Sequence, residues 1–230
     1  MINLAIIPAR SGSKGLRNKN IKKINNKTLI KIAYDVAKKS NIFSHILVST
    51  DSTIYKSIVE KSGIKVESLR SKKFSKDNTT DLELLNYEIN KFEKKKKLKV
   101  NYICLLQPTS PLRKKKDIID CYNMIRSKKL DAVWTVSKID KKFNPIKILR
   151  IKRKKLEYFS SKGSTFTNRQ SLKDYFIRNG IAYFFSRKSI MKYKKILPKK
   201  SGFIEIKRQI SNIDSMEDFV EAKKFLEGVK

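Results

Sequence analysis

M-I-N-L-A-I-I-P-A-R-S-G-S-K-G-L-R-N-K-N, residues 1–20, begins with an apolar run from Ile2 to Ile7 and then breaks into a loop carrying Gly12 and Gly15. Arg10, Lys14, Arg17 and Lys19 thread that loop. A short buried strand feeding a glycine-containing, cationic loop suits polyphosphate. Glycines let backbone N–H groups approach phosphate oxygens, and the cations neutralise charge. Arg10 can engage a phosphate through two parallel hydrogen bonds, while Lys14 acts as a mobile point charge. The loop is not a Walker loop: G-x-x-x-x-G-K-[ST] is absent, and Lys14 precedes its glycine. The competing reading is a solvated basic turn.

Outward from this loop the chain alternates strands and helices. The patterning predicts strands at Ile2–Ile7, Ile46–Ser49, Lys65–Ser68, Val100–Leu106 and Ala132–Ser137. Helices are predicted between them at Thr28–Lys39, Ser52–Ser62, Thr79–Lys94 and Lys115–Ser127. Repeated βα units of this length imply an α/β fold, a three-layer α/β/α sandwich with a mainly parallel sheet. Ligands bind such sheets at the carboxyl ends of strands. The loops there carry P-A-R-S-G-S-K-G, S-T-D (Ser49–Asp51) and Q-P-T-S-P-L-R (Gln107–Arg113). After residue 140 the pattern changes. Residues 146–166 alternate apolar and charged residues in short pieces, as a hairpin would. Strands return at Ile181–Ser186 and Gly202–Ile206, and Ser215–Leu226 closes as a helix.

The length of 230 residues suits one domain, residues 1–230, with 140–170 as an excursion from it. The N-terminal apolar run is too short for a signal peptide, and no stretch reaches the roughly 18–20 apolar residues of a membrane span. Cys104 and Cys121 lack metal-site or disulfide-framework spacing, and Cys104 sits in an apolar strand as a core residue. The expectation is a soluble cytoplasmic enzyme. A net charge of +34 raises nucleic-acid binding. Against it, only 11 of the 55 cations are arginine, the charge is spread along the chain, and the basic runs lack interleaved aromatics for stacking. Nucleic acid is therefore not the expected partner. The charge should still steer anionic substrates over a Debye length of about 8–10 Å.

Seven further motifs follow the loop in order: S-T-D at Ser49–Asp51, L-R at Leu69–Arg70, L-L-Q-P-T-S-P-L-R at Leu105–Arg113, N-P-I-K ending at Lys147, N-R-Q-S-L at Asn168–Leu172, R-N-G-I-A-Y at Arg178–Tyr183, and N-I-D-S-M-E-D at Asn212–Asp218. In this order, across nearly the whole chain, they resemble the acylneuraminate cytidylyltransferase (CMP-nonulosonate synthetase) family. The resemblance implies a Rossmann-like nucleotidyltransferase fold. It also implies transfer of CMP from CTP to the anomeric hydroxyl of a sialic-acid-like nonulosonate (N-acetylneuraminate, legionaminate or pseudaminate), with pyrophosphate released. It further implies Mg²⁺ or Mn²⁺ as cofactor, and a homodimer whose 140–170 hairpin arm closes the neighbour's site. A CMP-Kdo synthetase shares the P-A-R-x-x-S start and is the nearest alternative. A basic nucleic-acid or anionic-surface binder on the same fold is the alternative of another class.

Nucleotidyl transfer needs positioning and charge neutralisation more than a protein nucleophile. On that basis the resemblance assigns Arg10, Lys14 and Ser13 to the CTP phosphates, Asn20 to the neighbourhood of the base, and Arg70 to the cytosine carbonyl. Pro108 and Pro111 stiffen the turn that presents Gln107, Thr109 and Ser110, which in the family faces the sugar; an ordinary helix-capping turn is the other reading. Lys147 matches a lysine near the sugar acid or phosphate, and Arg169 and Gln170 match R-Q-x-L. Arg178 lies one residue later than the arginine of several relatives, and the Asn179-Gly180 that follows it is a turn signal in its own right. Asp214 is the leading metal candidate, because Mg²⁺ takes one or two carboxylates plus substrate phosphates. The family usually has D-x-D here, where this chain has Asn212 and Asp214. Ser215–Asp218 also reads as a capping box. Asp51 is expected to order the glycine loop. His45, the only histidine, reads as structural.

Overall fold

The computed structural model describes residues 1–165 and 172–228. In chain order the elements are β1 (Asn3–Pro8), β2 (Lys23–Ile24), β3 (Lys27–Thr28), α1 (Leu29–Lys39), β4 (His45–Ser49), α2 (Thr53–Lys61), α3 (Asp81–Lys96), β5 (Tyr102–Leu105), α4 (Lys115–Ser127), β6 (Ala132–Lys138), β7 (Leu149–Lys152), β8 (Lys155–Tyr158), β9 (Phe176–Ser186), α5 (Arg187–Met191), β10 (Ser201–Glu205) and α6 (Met216–Glu227). Six strands form one sheet in the order β10-β6-β9-β5-β1-β4. All neighbours are parallel except β9, which runs antiparallel to both β5 and β6.

Helices cover both faces, so the central strands read as continuous apolar runs. In β1, Ala5 and Ile7 pack with Ile30 and Ala33 of α1 and Ile118 of α4, while Leu4 and Ile6 pack with Leu85 and Ile89 of α3. The expected α/β/α sandwich is thus present. Cys104 and Cys121 are free and buried in the first of these cores, and burial raises both thiols well above their usual range. His45 packs its ring edge-on against Phe92 at 4.9 Å, a structural role. A third cluster seats α6 under the glycine loop: Leu16 meets Ile213 and Ala222, with Phe219 packed alongside.

Two elements differ from the sequence expectation. Residues 65–68 are not a strand. Val66 is buried and Lys65 and Glu67 are exposed, as in a strand, but no ladder forms. Instead, Val66 N–H donates to Glu60 Oε1 (3.3 Å), and Arg70 N–H donates to the Thr50 carbonyl (2.7 Å). The second difference is β9, which begins at Phe176 and passes through Asn179-Gly180 where a turn was expected. The register against β6 shifts between Trp134 and Val136, and Gly180 adopts φ +75° within that irregularity. A bulge has taken the conformational freedom that a turn would have used.

The expected hairpin is β7–β8, turned at Arg153 and Lys154, both left-handed (φ 50° and 62°) as a two-residue primed turn requires. Leu149 pairs with Tyr158 and Ile151 with Leu156, so one hairpin face is apolar. All four side chains are exposed.

Candidate active site

A cleft of about 430 Å³ opens at the carboxyl ends of β1 and β5. Of the residues singled out from sequence, Arg10, Ser13, Lys14, Asn20, Arg70, Gln107, Thr109, Asn212 and Asp214 line it. Ser110 does not: it is fully buried behind the proline turn and donates to the Asn179 carbonyl (3.4 Å). Lys147 ends a short helical turn, Pro145–Lys147, beside the hairpin and outside this cleft wall. Arg169 and Gln170 lie outside the described residues.

Neighbouring elements shape the glycine loop. Asp51, just past β4, accepts from Ser11 N–H (2.9 Å) and Ser11 Oγ (3.1 Å), which is the ordering role expected of it. Asn20 is buried and donates to the Arg10 carbonyl (3.1 Å), so its side chain braces the loop as well as lining the cleft. Of the two glycines, Gly15 is the sterically required one. A Cβ there would lie 2.4 Å from the Asp214 carbonyl oxygen, whereas at Gly12 it would meet nothing within 4 Å.

Asp214 fits both of its sequence readings. Ser215 and Asp218 make the capping box: Ser215 N–H donates to Asp218 Oδ2 (2.8 Å) and Asp218 N–H to Ser215 Oγ (3.2 Å). Asp214 N–H joins the same carboxylate (2.9 Å), and its own side chain stays 68% exposed at the cleft. There Lys19 Nζ lies 2.7 Å from Asp214 Oδ1 and also donates to the Ile213 carbonyl (3.1 Å). Asn212 Nδ2 donates to Asp214 Oδ2 (3.2 Å), and its Oδ1 accepts from Thr109 (3.0 Å). Among the described residues no group of three or more His, Cys, Asp or Glu side chains could by itself hold a metal. One exposed carboxylate fits Mg²⁺ whose remaining ligands are phosphate oxygens and water; the Asn212 amide turns its nitrogen, not its oxygen, to that carboxylate.

The cleft lining also includes Arg70, buried to 5% exposure. Its Nε donates to Ser75 Oγ (3.0 Å), while Nη2 has no hydrogen-bond partner among the described residues. Burial lowers this guanidinium from its ordinary value, and Asp51 and Glu88 oppose the shift. A buried, unsatisfied donor in a cleft wall is costly unless a ligand acceptor meets it.

Three residues here escaped assignment from sequence. Lys19 is one. Asp77 is another: it pairs with both Arg10 and Lys14 (the latter at 2.7 Å). Arg113 is the third. Fully buried, it donates to the carbonyls of Gln107 (2.7 Å), Gly180 (3.1 Å) and Ile181, stapling the proline turn to the β9 bulge. Burial pushes it down to about 10. Arg178 bonds Asp81 (2.7 Å) and lies over the rings of Trp134 and Tyr183 at 5.4 and 5.3 Å.

With this geometry in hand, comparison with known proteins gives the family directly. The family model described as cytidylyltransferase matches residues 4–230. The chain belongs to the cytidylyltransferase family. This cytidylyltransferase is similar to the post-translational flagellin modification protein B of Campylobacter coli and to the CMP-N,N'-diacetyllegionaminic acid synthase of Campylobacter jejuni. It is 30% identical to each over 94% of its own length and 91% of theirs. It is 29% identical to the N-acylneuraminate cytidylyltransferase of Streptococcus agalactiae, covering 94% of this chain but spanning only 51% of that relative. Among solved structures, a CMP:2-keto-3-deoxy-manno-octonic acid synthetase complexed with CTP superposes with a TM-score of 0.75 at 17% identity, covering 99% of both chains. That likeness shows the shared fold.

Proposed function

We propose that this cytidylyltransferase transfers CMP from CTP to the anomeric hydroxyl of a sialic-acid-like nonulosonate. The hydroxyl oxygen bonds to the α-phosphorus, and the bond from that phosphorus to the departing pyrophosphate breaks. The observation that carries the reading is the composition of the cleft. Arg10, Lys14, Lys19 and Asp214 line it together with Arg70, whose buried Nη2 has no hydrogen-bond partner among the described residues. Cations facing a polyphosphate stabilise the charge that develops as pyrophosphate leaves. Arg70 supplies a donor matched to a base carbonyl.

Arg10, Lys14 and Ser13 hold the phosphates in this reading, with Asn20 near the base and Gln107 and Thr109 toward the sugar. Asp214 would hold Mg²⁺ or Mn²⁺, with help from the Asn212 amide oxygen once it turns from Thr109 to the ion. The ion would supply Lewis-acid charge neutralisation on the phosphate oxygens. The nonulosonate acceptor is supported by relatives named for N-acylneuraminate, legionaminic acid and pseudaminic acid at 26–30% identity. The Kdo alternative rests on the shared P-A-R-x-x-S start and a fold likeness, and fits less well. A cytoplasmic location agrees with two buried free thiols.

A homodimer belongs to the same reading. Leu149, Ile151, Leu156 and Tyr158 form an exposed apolar hairpin face, with Phe143 and Phe159 exposed nearby. A second copy covering this face would remove it from water, with Lys147 carried on the same arm.

The test is pyrophosphate release with CTP and Mg²⁺ against a panel of nonulosonic acids and Kdo, with ATP, GTP and UTP as controls. Release that requires CTP and one nonulosonate is the expected result. Release only with Kdo would move the acceptor. No CTP binding, together with tight salt-sensitive DNA binding, would overturn the reading in favour of a basic binding protein.

A further inference from the structure

Asp77 stands in the cleft between the two cations that the proposed function gives to the triphosphate. Its Oδ2 lies 2.7 Å from Lys14 Nζ, and its Oδ1 accepts from Arg10 Nη1. These pairings, Lys14 first and Arg10 second, hold the carboxyl below its usual range, so it is an anion at neutral pH. Lys19 is likewise occupied, by Asp214. Each of these three cleft-lining loop cations therefore carries a carboxylate of the same chain.

The segment bearing Asp77 is fastened at both ends. Ser71 N–H donates to the Tyr87 hydroxyl (3.2 Å), Arg70 Nε binds Ser75, and Phe74 stacks on Tyr87 with ring centroids 4.4 Å apart. Beyond Asp77, Thr79 N–H returns to the Lys76 carbonyl (3.1 Å), and Thr80 caps α3 in a capping box with Glu83. Among the described residues, the Asp77 carboxylate has no polar partners other than Arg10 and Lys14. It is fixed from both sides and bonded only across the cleft.

A carboxylate offers Arg and Lys the same kind of charged acceptor that a phosphate offers, with less charge and fewer oxygens. Two cations converging on one point repel each other unless an anion lies between them. We propose that Asp77 is a built-in competitor for the phosphate subsite: it holds Arg10 and Lys14 in place in the nucleotide-free protein, is displaced by the incoming triphosphate, and thereby sets the affinity of the cleft for polyphosphate. Its return to the same cations would compete with product and favour pyrophosphate release. The inference rests on the reading of Arg10 and Lys14 as triphosphate ligands.

The experiment is calorimetric titration of the full chain with inorganic tripolyphosphate at fixed ionic strength. It compares the wild type with Arg10→Ala, Lys14→Ala, Asp77→Asn and the Lys14→Ala/Asp77→Asn double variant, each checked for an unchanged melting transition. Removing two partly exposed ion pairs should lower the Kd of Asp77→Asn about three- to tenfold. In the Lys14→Ala background that gain should shrink, because one of the released cations is gone. A Kd for Asp77→Asn equal to or above wild type overturns the proposal. So does an undiminished gain without Lys14, which would mean that Asp77 acts by loosening its segment. If Arg10→Ala binds tripolyphosphate as well as wild type does, the phosphate reading of the loop fails instead. If Arg10→Ala weakens binding while Asp77→Asn does not tighten it, only the competitor role fails.

Discussion

Lys19 Nζ lies 2.7 Å from Asp214 Oδ1, a contact between residues 195 positions apart that joins the glycine loop to the start of α6. The ammonium also bonds the Ile213 carbonyl and is only 18% exposed. Beneath this pair, Leu16 of the loop packs with Ile213 and Ala222. Polar contact and apolar packing therefore fix the same spacing between the loop proposed to face phosphate and the carboxylate proposed to hold metal.

Asp214→Ala should abolish turnover and leave the fold intact. The Asp214 side chain takes no part in the α6 capping box, which uses Ser215 and Asp218, and it is 68% exposed. Its loss removes the carboxylate proposed for the metal and leaves Lys19 still bonded to Ile213. The expected drop in pyrophosphate release is about a thousandfold or more, with an unchanged far-ultraviolet circular dichroism spectrum and melting transition. Near-normal turnover would remove Asp214 from the mechanism.

Gly15→Ala should separate loop from helix. The added carbon would lie 2.4 Å from a backbone oxygen of Asp214, which no side-chain rotation can relieve. Overpacking of this kind costs about 1–3 kcal/mol. Gly12→Ala meets open space and should melt with the wild type. Denaturant titration of the two variants checks the pair, and equal stability would show that the close approach is not maintained in solution.

Much of this site was legible because local chemistry wrote it. The strand-to-loop break after Ile7, the Asp51 tie to the loop and the capping box at Ser215 all depend on residues whose types declare their roles. Asp77 was not legible, and of Lys19 only its place in the cationic loop was. Among 44 lysines (55 cations less 11 arginines) nothing marks one for a particular carboxylate, and the partner of Lys19 is chosen by tertiary packing. Asn179-Gly180 misled for a physical reason: the same φ > 0 serves a turn or a bulge, and only the antiparallel insertion of β9 between β5 and β6 decides which. Residues 65–68 had strand-like burial but no neighbour to pair with.

Arg113→Met should destabilise the whole proline turn. The guanidinium donates to three carbonyls, those of Gly180 and Ile181 in the interior and that of Gln107, and methionine would remove all three bonds, leaving Gln107 only the Ser110 N–H. Unmade buried hydrogen bonds cost about 1–3 kcal/mol each, so a loss of about 3 kcal/mol or more is expected. Arg113→Lys should rescue little, because a point-charge ammonium cannot span three acceptors. Urea titration reads both variants, and a loss below about 1 kcal/mol for Arg113→Met would show that water replaces the staple.

Glu67 should contribute an acid-sensitive part of the stability. It lies in the extended segment that forms no ladder, and it is clamped to α3 by Lys95 and Lys96, each at 2.8 Å. The Lys95 and Lys96 hydrogen bonds lower its carboxyl from 4.5 to about 2. A carboxyl whose folded value lies below its unfolded one binds fewer protons when folded, so its contribution is fully present above about 4.5 and is lost as pH falls toward about 2. Wild type should therefore lose melting temperature more steeply than Glu67→Gln between these limits, and the two curves should converge at the acid end. The pairs are solvent-accessible, so molar salt should shrink the difference at neutral pH. Parallel melting curves across that pH range would show that the segment is held by Ile64 and Val66 in the core, with the lysine clamp contributing nothing.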